Sequence, residues 1–309
     1  MLRFLLLSCL SLLALSAQAQ VQILTSIKPL QLIAAAIQDG QGEPQVLLPP
    51  GASPHYFVLR PSDAKRLDNA DLFYWIGPDL ENFLPRLLKQ RSQPSVAAQD
   101  LPDLHLQYFA EAHAHDHDHD HDHGHALIEH DHAHQPGTVD AHLWLDPHNA
   151  ELIAQRISAD LSALDPENAA HYAANLQAFS QALQEVDGQL KVELAPLKEQ
   201  PFFVFHEAFN YFEQAYGLAH TGVFAVSSEV QPGAKHVQQM RTRLQQAGAA
   251  CVFSEPPLQP RLAQTLAAGL PVKLAELDAL GVDIPVSAQG YTQLLRNLGA
   301  QFSACLSTL

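Results

Sequence analysis

A single unbroken helical pattern constrains this chain more than any other feature. Asp165-Pro166-Glu167 is a helix start: an Asp cap, Pro at the first helical position, then an acid. From there Tyr172, Leu176, Phe179, Leu183, Val186, Leu190 and Leu194 recur at spacings of four and three, the period of one helix face. Gly188 weakens the pattern by about 1 kcal/mol relative to Ala, and Pro196 and Pro201 end it. Residues 165–196 are therefore expected to form one helix of roughly 30 residues, about 45 Å long. Strand and helix patterns alternate on both sides of it. It therefore reads as a rigid strut between two lobes and not as a lone coiled-coil strand.

Before the strut, residues 22–27 alternate as a first strand, 31–38 form a short helical pattern, and 43–48 are a second strand stopped by Pro49-Pro50-Gly51. A helix starts at Pro61-Ser62-Asp63, a buried strand covers 71–77, another helix 79–90, and a strand 95–98. Asp140-Ala141-His142-Leu143-Trp144-Leu145 is expected to be extended, with His142, Trp144 and Asp146 on one side, and Asp146-Pro147 stopping it before a helix at 149–164. After the strut come strands at 201–205, 219–224, 250–254 and 272–275, and helices at 208–216, 234–247, 258–268 and 291–307. Such alternation predicts an α/β fold of two lobes, each a parallel sheet flanked by helices. The expected division is a leader at 1–19, a first lobe at 20–164, the connecting helix at 165–196 and a second lobe at 197–309.

The chain has 309 residues, 47% apolar, enough for two buried cores. Its formal charge of -16 offers no basic surface for phosphates, which excludes nucleic-acid binding. Residues 1–19 read as a secretory signal: Arg3, an apolar run at 4–15, and the small-residue cleavage site Ala17-Gln18-Ala19. That run is too short to span a bilayer, and no other stretch is long and apolar enough. The exported chain is thus expected to be periplasmic, not membrane-embedded, and monomeric. It keeps Cys251 and Cys305, which an oxidising compartment should join, stabilising the fold by about 4 kcal/mol in the chain-entropy model.

Residues 113–134 interrupt the α/β pattern. They hold His113, His115, His117, His119, His121, His123, His125, His130, His132 and His134, with an Asp between successive histidines from His115 to His123. Nothing in this tract can bury a core, so a mobile surface loop is expected, with several low-selectivity sites for zinc, copper or nickel.

In open α/β sheets, ligands bind beyond the carboxyl ends of the strands. His55, His142, His206 and Asp278 meet that rule, two in each lobe. Three neutral imidazoles are good zinc ligands, with Asp278 or water in a fourth position. His148 is expected at a helix start, and His105, His171, His220 and His236 at the surface or in ordinary packing. Glu207 reads as a partner of a ligand, while Glu229 and Glu255 orient ligands or meet a membrane partner.

Five blocks carry a family resemblance. Gly51-Ala52-Ser53-Pro54-His55 with Leu59-Arg60-Pro61-Ser62-Asp63, and Asp140-Ala141-His142-Leu143-Trp144-Leu145-Asp146-Pro147, resemble the periplasmic metal-binding proteins of zinc/manganese ABC importers. So do Phe205-His206-Glu207-Ala208-Phe209-Asn210-Tyr211-Phe212, Glu229-Val230-Gln231-Pro232-Gly233-Ala234 and Ser254-Glu255-Pro256, in the family's order. The His-rich insertion points to the zinc-uptake branch. The resemblance implies a protein, not an enzyme, that carries Zn2+ in a cleft between lobes and delivers it to a membrane permease. It also implies His55, His142 and His206 as ligands, and Asp278 where manganese-type members use an aspartate. Pro54 stands where related zinc proteins often carry an acid, which leaves the fourth ligand open among Asp278, water and a loop histidine. A stand-alone zinc buffer and a zinc hydrolase are the alternatives. The hydrolase lacks an HExxH pattern.

Overall fold

Apolar central strands, buried on both faces, build two sheets. The computed structural model describes residues 20–55, 57–109, 137–225, 233–256 and 261–309. The expected leader and the tract at 113–134 lie outside the described residues, as does Glu229. The first half runs β1 (Ile23–Thr25), α1 (Lys28–Gln38), β2 (Gln45–Val46), α2 (Pro61–Asn69), β3 (Leu72–Trp75), α3 (Pro85–Leu88), β4 (Ser95–Ala97), α4 (Pro147–Leu164). The long helix α5 (Ala169–Leu194) follows. The second half runs β5 (Phe202–His206), α6 (Asn210–Tyr216), β6 (Gly222–Ala225), α7 (Ala234–Ala247), β7 (Ala250–Ser254), α8 (Arg261–Ala267), β8 (Val272–Glu276), α9 (Gly290–Leu306).

Both sheets have four parallel strands, in the orders β2-β1-β3-β4 and β6-β5-β7-β8. Each sheet therefore reverses direction once, between β1 and β3 and between β5 and β7. Those reversals open crevices at the carboxyl ends of the strands. All four residues of β3 and all five of β5 are buried, as strands covered on both faces must be.

The strut is shorter than the pattern suggests. Pro166–Asn168 forms a 3-10 turn, and the α-helix proper has 26 residues, about 39 Å. Tyr172, Phe179, Leu183, Val186, Leu190 and Leu194 of the apolar stripe are buried, and Leu176 is half-buried. The stripe packs against α1, α4 and α9. A Cβ added at Gly299 would stand 2.2 Å from a Leu190 methyl, so glycine there lets α9 lie tight on α5. Phe302 of α9 meets Phe202, Phe253 and Phe212 with ring centroids 5.1–5.5 Å apart, which fixes α9 to the second sheet. Cys251 of β7 and Cys305 of α9 form the expected disulfide.

Three local expectations need correction. Residues 140–145 are not a strand: Leu143–Leu145 is a 3-10 turn that leads into α4. Local side-chain bonds outweigh the alternation, because Asp140 accepts the His142 N–H and Asp146 accepts the His148 N–H as helix cap. The helix expected at 79–90 shrinks to Pro85–Leu88, since Pro85 has no N–H to donate and its ring crowds the preceding turn. The strand expected at 43–48 pairs only at Gln45 and Val46, at the edge of its sheet.

Candidate metal centre

His55, His142 and His206 meet, each delivered by a different device. Leu48 donates its N–H to the Ser26 carbonyl beyond β1, which anchors the loop that follows β2. Pro50 and Gly51 then turn the chain: Ala52 donates to the Pro49 carbonyl, and Gly51 takes φ +76°, as the third residue of a type II turn requires. The Ser53 hydroxyl accepts the His55 N–H at 3.3 Å. His142 starts the 3-10 turn, and His206 is the last residue of β5, at the reversal of the second sheet.

All three imidazoles are buried, at 5%, 3% and 2% exposure. Their ring centroids lie 5.5 Å (His55–His142), 5.2 Å (His55–His206) and 5.1 Å (His142–His206) apart. One nitrogen from each falls within 4.8 Å of the other two. Three nitrogens around a tetrahedral zinc, each bonded at about 2.0–2.1 Å, would stand about 3.4 Å from one another. Among the described residues this is the one group of three or more His, Cys, Asp or Glu side chains that close.

Carboxylates hold two of the rings. Asp140 Oδ1 lies 2.7 Å from His142 Nδ1, and Glu255 Oε1 lies 2.9 Å from His206 Nδ1. Asp140 is itself fixed: Asn210 donates to its Oδ2 at 3.0 Å, and the Tyr211 hydroxyl donates to its carbonyl at 2.8 Å. An ionised carboxylate only accepts, so each ring donates from Nδ1 and presents Nε2 as the lone-pair nitrogen. The Asn210 amide also reaches Glu207 at 3.3 Å; burial pushes the Glu207 carboxyl above its ordinary range, against the effect of that bond.

Asp278 is not in the group. Its Oδ1 accepts the N–H groups of Leu280 (3.0 Å) and Gly281 (2.8 Å), and its Oδ2 that of Val282 (2.8 Å). The carboxylate ties its own loop, which spacing along the chain could not reveal. His148 lies in the first turn of α4 with Nε2 against the Asp103 carbonyl, stacked on His105 at 4.1 Å. His171 and His236 lie against the carbonyls of Asp39 and Val223, and His220 against the Glu213 carboxylate. Cys251 of β7 and Cys305 of α9 are joined to each other and are not members of this group. The histidines from His113 to His134 lie outside the described residues. Asp140 and Asn210 were not singled out from the sequence. An acid two residues before a His, where its oxygen can reach the i+2 N–H, was the available signal for Asp140.

Among the described residues no helix is long and apolar enough to cross a membrane. The family model described as "Zinc-uptake complex component A periplasmic" matches residues 23–305. The chain is 38% identical over 297 residues to the high-affinity zinc uptake system protein ZnuA of Yersinia pestis, covering 93% of this chain and 92% of that one. It is 37% identical to the Haemophilus ducreyi protein of the same name, covering 96% and 97%. A crystal structure of a ZnuA superposes with TM-score 0.75 at 22% identity, over 93% of this chain and 99% of that one. The periplasmic zinc binding protein TroA from Treponema pallidum gives 0.75 at 20% identity over 93% and 99%, and FpvC of Pseudomonas aeruginosa with Mn2+ gives 0.75 at 20% over 94% and 99%. At those identities the structural likeness shows the fold.

Proposed function

The chain belongs to the family of periplasmic zinc-uptake components, and from that premise we propose that it carries one Zn2+ on the Nε2 atoms of His55, His142 and His206. Members of this family are solute-binding proteins of ABC importers, not enzymes, so no bond in the cargo is made or broken. The convergence of three buried histidines from three separate elements supports this reading most strongly. Imidazole donors favour zinc over manganese, and carboxylates behind two of the rings raise their basicity toward the ion. Water completes the coordination. The three backbone bonds to Asp278 favour water over that carboxylate.

Residues 1–19 direct the chain to the periplasm and are removed there. The histidines of 113–134 gather zinc at several weak sites near the tight one. The loaded protein docks on the permease of the importer. Packing of α5 against α1, α4 and α9 limits opening, so release requires the permease to disturb the ligands.

Calorimetry on the full chain tests the site. His206→Ala or His55→Ala should weaken the tight zinc site by orders of magnitude, while deletion of 113–134 should keep it and remove the weak sites. Loss of the tight site with the tract, and not with the histidines, would refute this assignment.

A further inference from the structure

The loop after β8 bonds to the supports of two histidines and shares a cavity with the turn that delivers the third. Leu277 donates its N–H to the Ser254 carbonyl at 2.9 Å, one residue before the Glu255 that holds His206. Ala279 accepts the Trp144 indole N–H at 2.9 Å, two residues after His142, and the Trp144 and His142 rings lie 5.3 Å apart. Leu280 and Val282 face Pro49, Pro50, Gly51 and Ala52 across a cavity of about 40 Å³, on the turn that delivers His55. Asp278 sits in the middle. Its carboxylate gathers three backbone N–H groups of the loop, and its own N–H is held by the Gln301 side chain of α9 at 3.1 Å.

Building on the three-histidine site, we infer that Asp278 is a positioning residue: it ties residues 277–282 into a brace that sets the three histidine arms against one another. Each arm comes from a separate stretch of chain; Asn210 and Tyr211 tie the His206 stretch to Asp140, and the loop after β8 is the element that reaches the His55 turn as well as these two. The loop supplies the shared reference, because it bonds to two of them and lines a common cavity with the turn of the third. With the brace intact the nitrogens are held near coordinating distance before zinc arrives. With it slack the ion must order them, and affinity falls.

The test uses the full chain, with zinc affinity read by competition against a chromophoric chelator and Co2+ d–d bands reporting ligand number and symmetry. Asp278→Ala should weaken zinc binding by about tenfold to a hundredfold, the range for removing a support behind a ligand. Asp278→Ser should regain part of the loss, since a serine hydroxyl accepts the same turn N–H but is too short and uncharged to coordinate. Leu280→Ala leaves Asp278 whole and should weaken zinc in the same direction, which keeps the test sound if Asp278→Ala fails to fold. The Co2+ bands should keep wild-type intensity throughout. Wild-type affinity in Asp278→Ala and Leu280→Ala would overturn the brace, and so would equal loss in the Ala and Ser variants with altered bands, the mark of a coordinating carboxylate. His142→Ala is the control. If it keeps tight zinc binding, the histidine site is wrong; if it loses binding while Asp278→Ala does not, only the brace is wrong.

Discussion

One oxygen of Asp140 holds both the ring and the main chain of His142: Oδ1 lies 2.7 Å from Nδ1 and accepts the His142 N–H at 3.0 Å. Asp140→Asn keeps the shape and removes the charge. It also sets the new amide against the Asn210 amide, a donor facing a donor, where Asp140 Oδ2 now accepts. Zinc affinity should fall about tenfold to a hundredfold, with a stability loss of about 1–3 kcal/mol from the mismatched pair. Chelator competition and urea unfolding measure the two effects. Unchanged affinity would show that the carboxylate does not set the ring.

Glu255 plays the matching part for His206, with a difference that orders the two variants. The Glu255 side chain is 20% exposed against 1% for Asp140, so water can replace part of what is lost. Glu255→Gln can keep an amide oxygen on Nδ1, and among the described residues no second donor faces it. Its affinity loss should be about tenfold or less, and smaller than that of Asp140→Asn under the same buffer. The reverse order would mean that burial does not decide how much each partner contributes.

The alternation of strands and helices, the stripe of α5 and the pairing of Cys251 with Cys305 were legible in the sequence, because each depends on a period or on residue chemistry alone. His55 and His206 were reachable through the rule that ligands gather past the carboxyl ends of strands, whereas His142 met that rule only on an expected strand that is a 3-10 turn. Asp278 met the same rule, yet its carboxylate turned to its own backbone. Proximity to a strand end does not say which way a side chain points. The turn at Leu143–Leu145 was hidden for a related reason: alternation scores side-chain faces, whereas Asp140 and Asp146 act on backbone N–H groups one turn ahead. Glu81 gave no signal at all. Its burial follows from the pairing of β1 with β3, which brings Ser26 and Ile76-Gly77 together past the strand ends and which no local pattern encodes.

The disulfide joins β7 to α9 across 54 residues. Closing a loop of that length restricts the unfolded chain by about 4 kcal/mol in the entropy model. Cys251→Ala with Cys305→Ala should therefore lower the unfolding free energy by up to about 4 kcal/mol, read from urea denaturation of the zinc-free protein. Phe302 already packs on Phe202 and Phe253, so α9 should stay in place and the folded spectrum should not change. A double variant as stable as the parent would mean that the bond adds nothing to what that aromatic cluster supplies.

Glu81 occupies the reversal of the first sheet as Glu255 does that of the second, but without a histidine. It is fully buried, hydrogen-bonded to the Ser26 hydroxyl and accepting the N–H groups of Ile76 (3.3 Å) and Gly77 (3.0 Å). Burial pushes its carboxyl up to about 7, against the opposing effect of those bonds. In the unfolded chain the group titrates near the ordinary value of about 4.3. Between those two values the native state holds a proton that the unfolded state has lost, so stability falls as pH rises. The contribution is fully present below about pH 4 and gone above about pH 7, a swing on the order of 4 kcal/mol. Glu81→Gln removes the titrating group: its oxygen can keep the Gly77 N–H and its amide can donate to the Ser26 hydroxyl, while the Ile76 N–H loses its acceptor, a cost that does not vary with pH. The stability of Glu81→Gln relative to the parent should rise from pH 5 to pH 8 by a few kcal/mol in urea unfolding. A difference that stays flat across that interval would mean Glu81 ionises in the fold as it does in water.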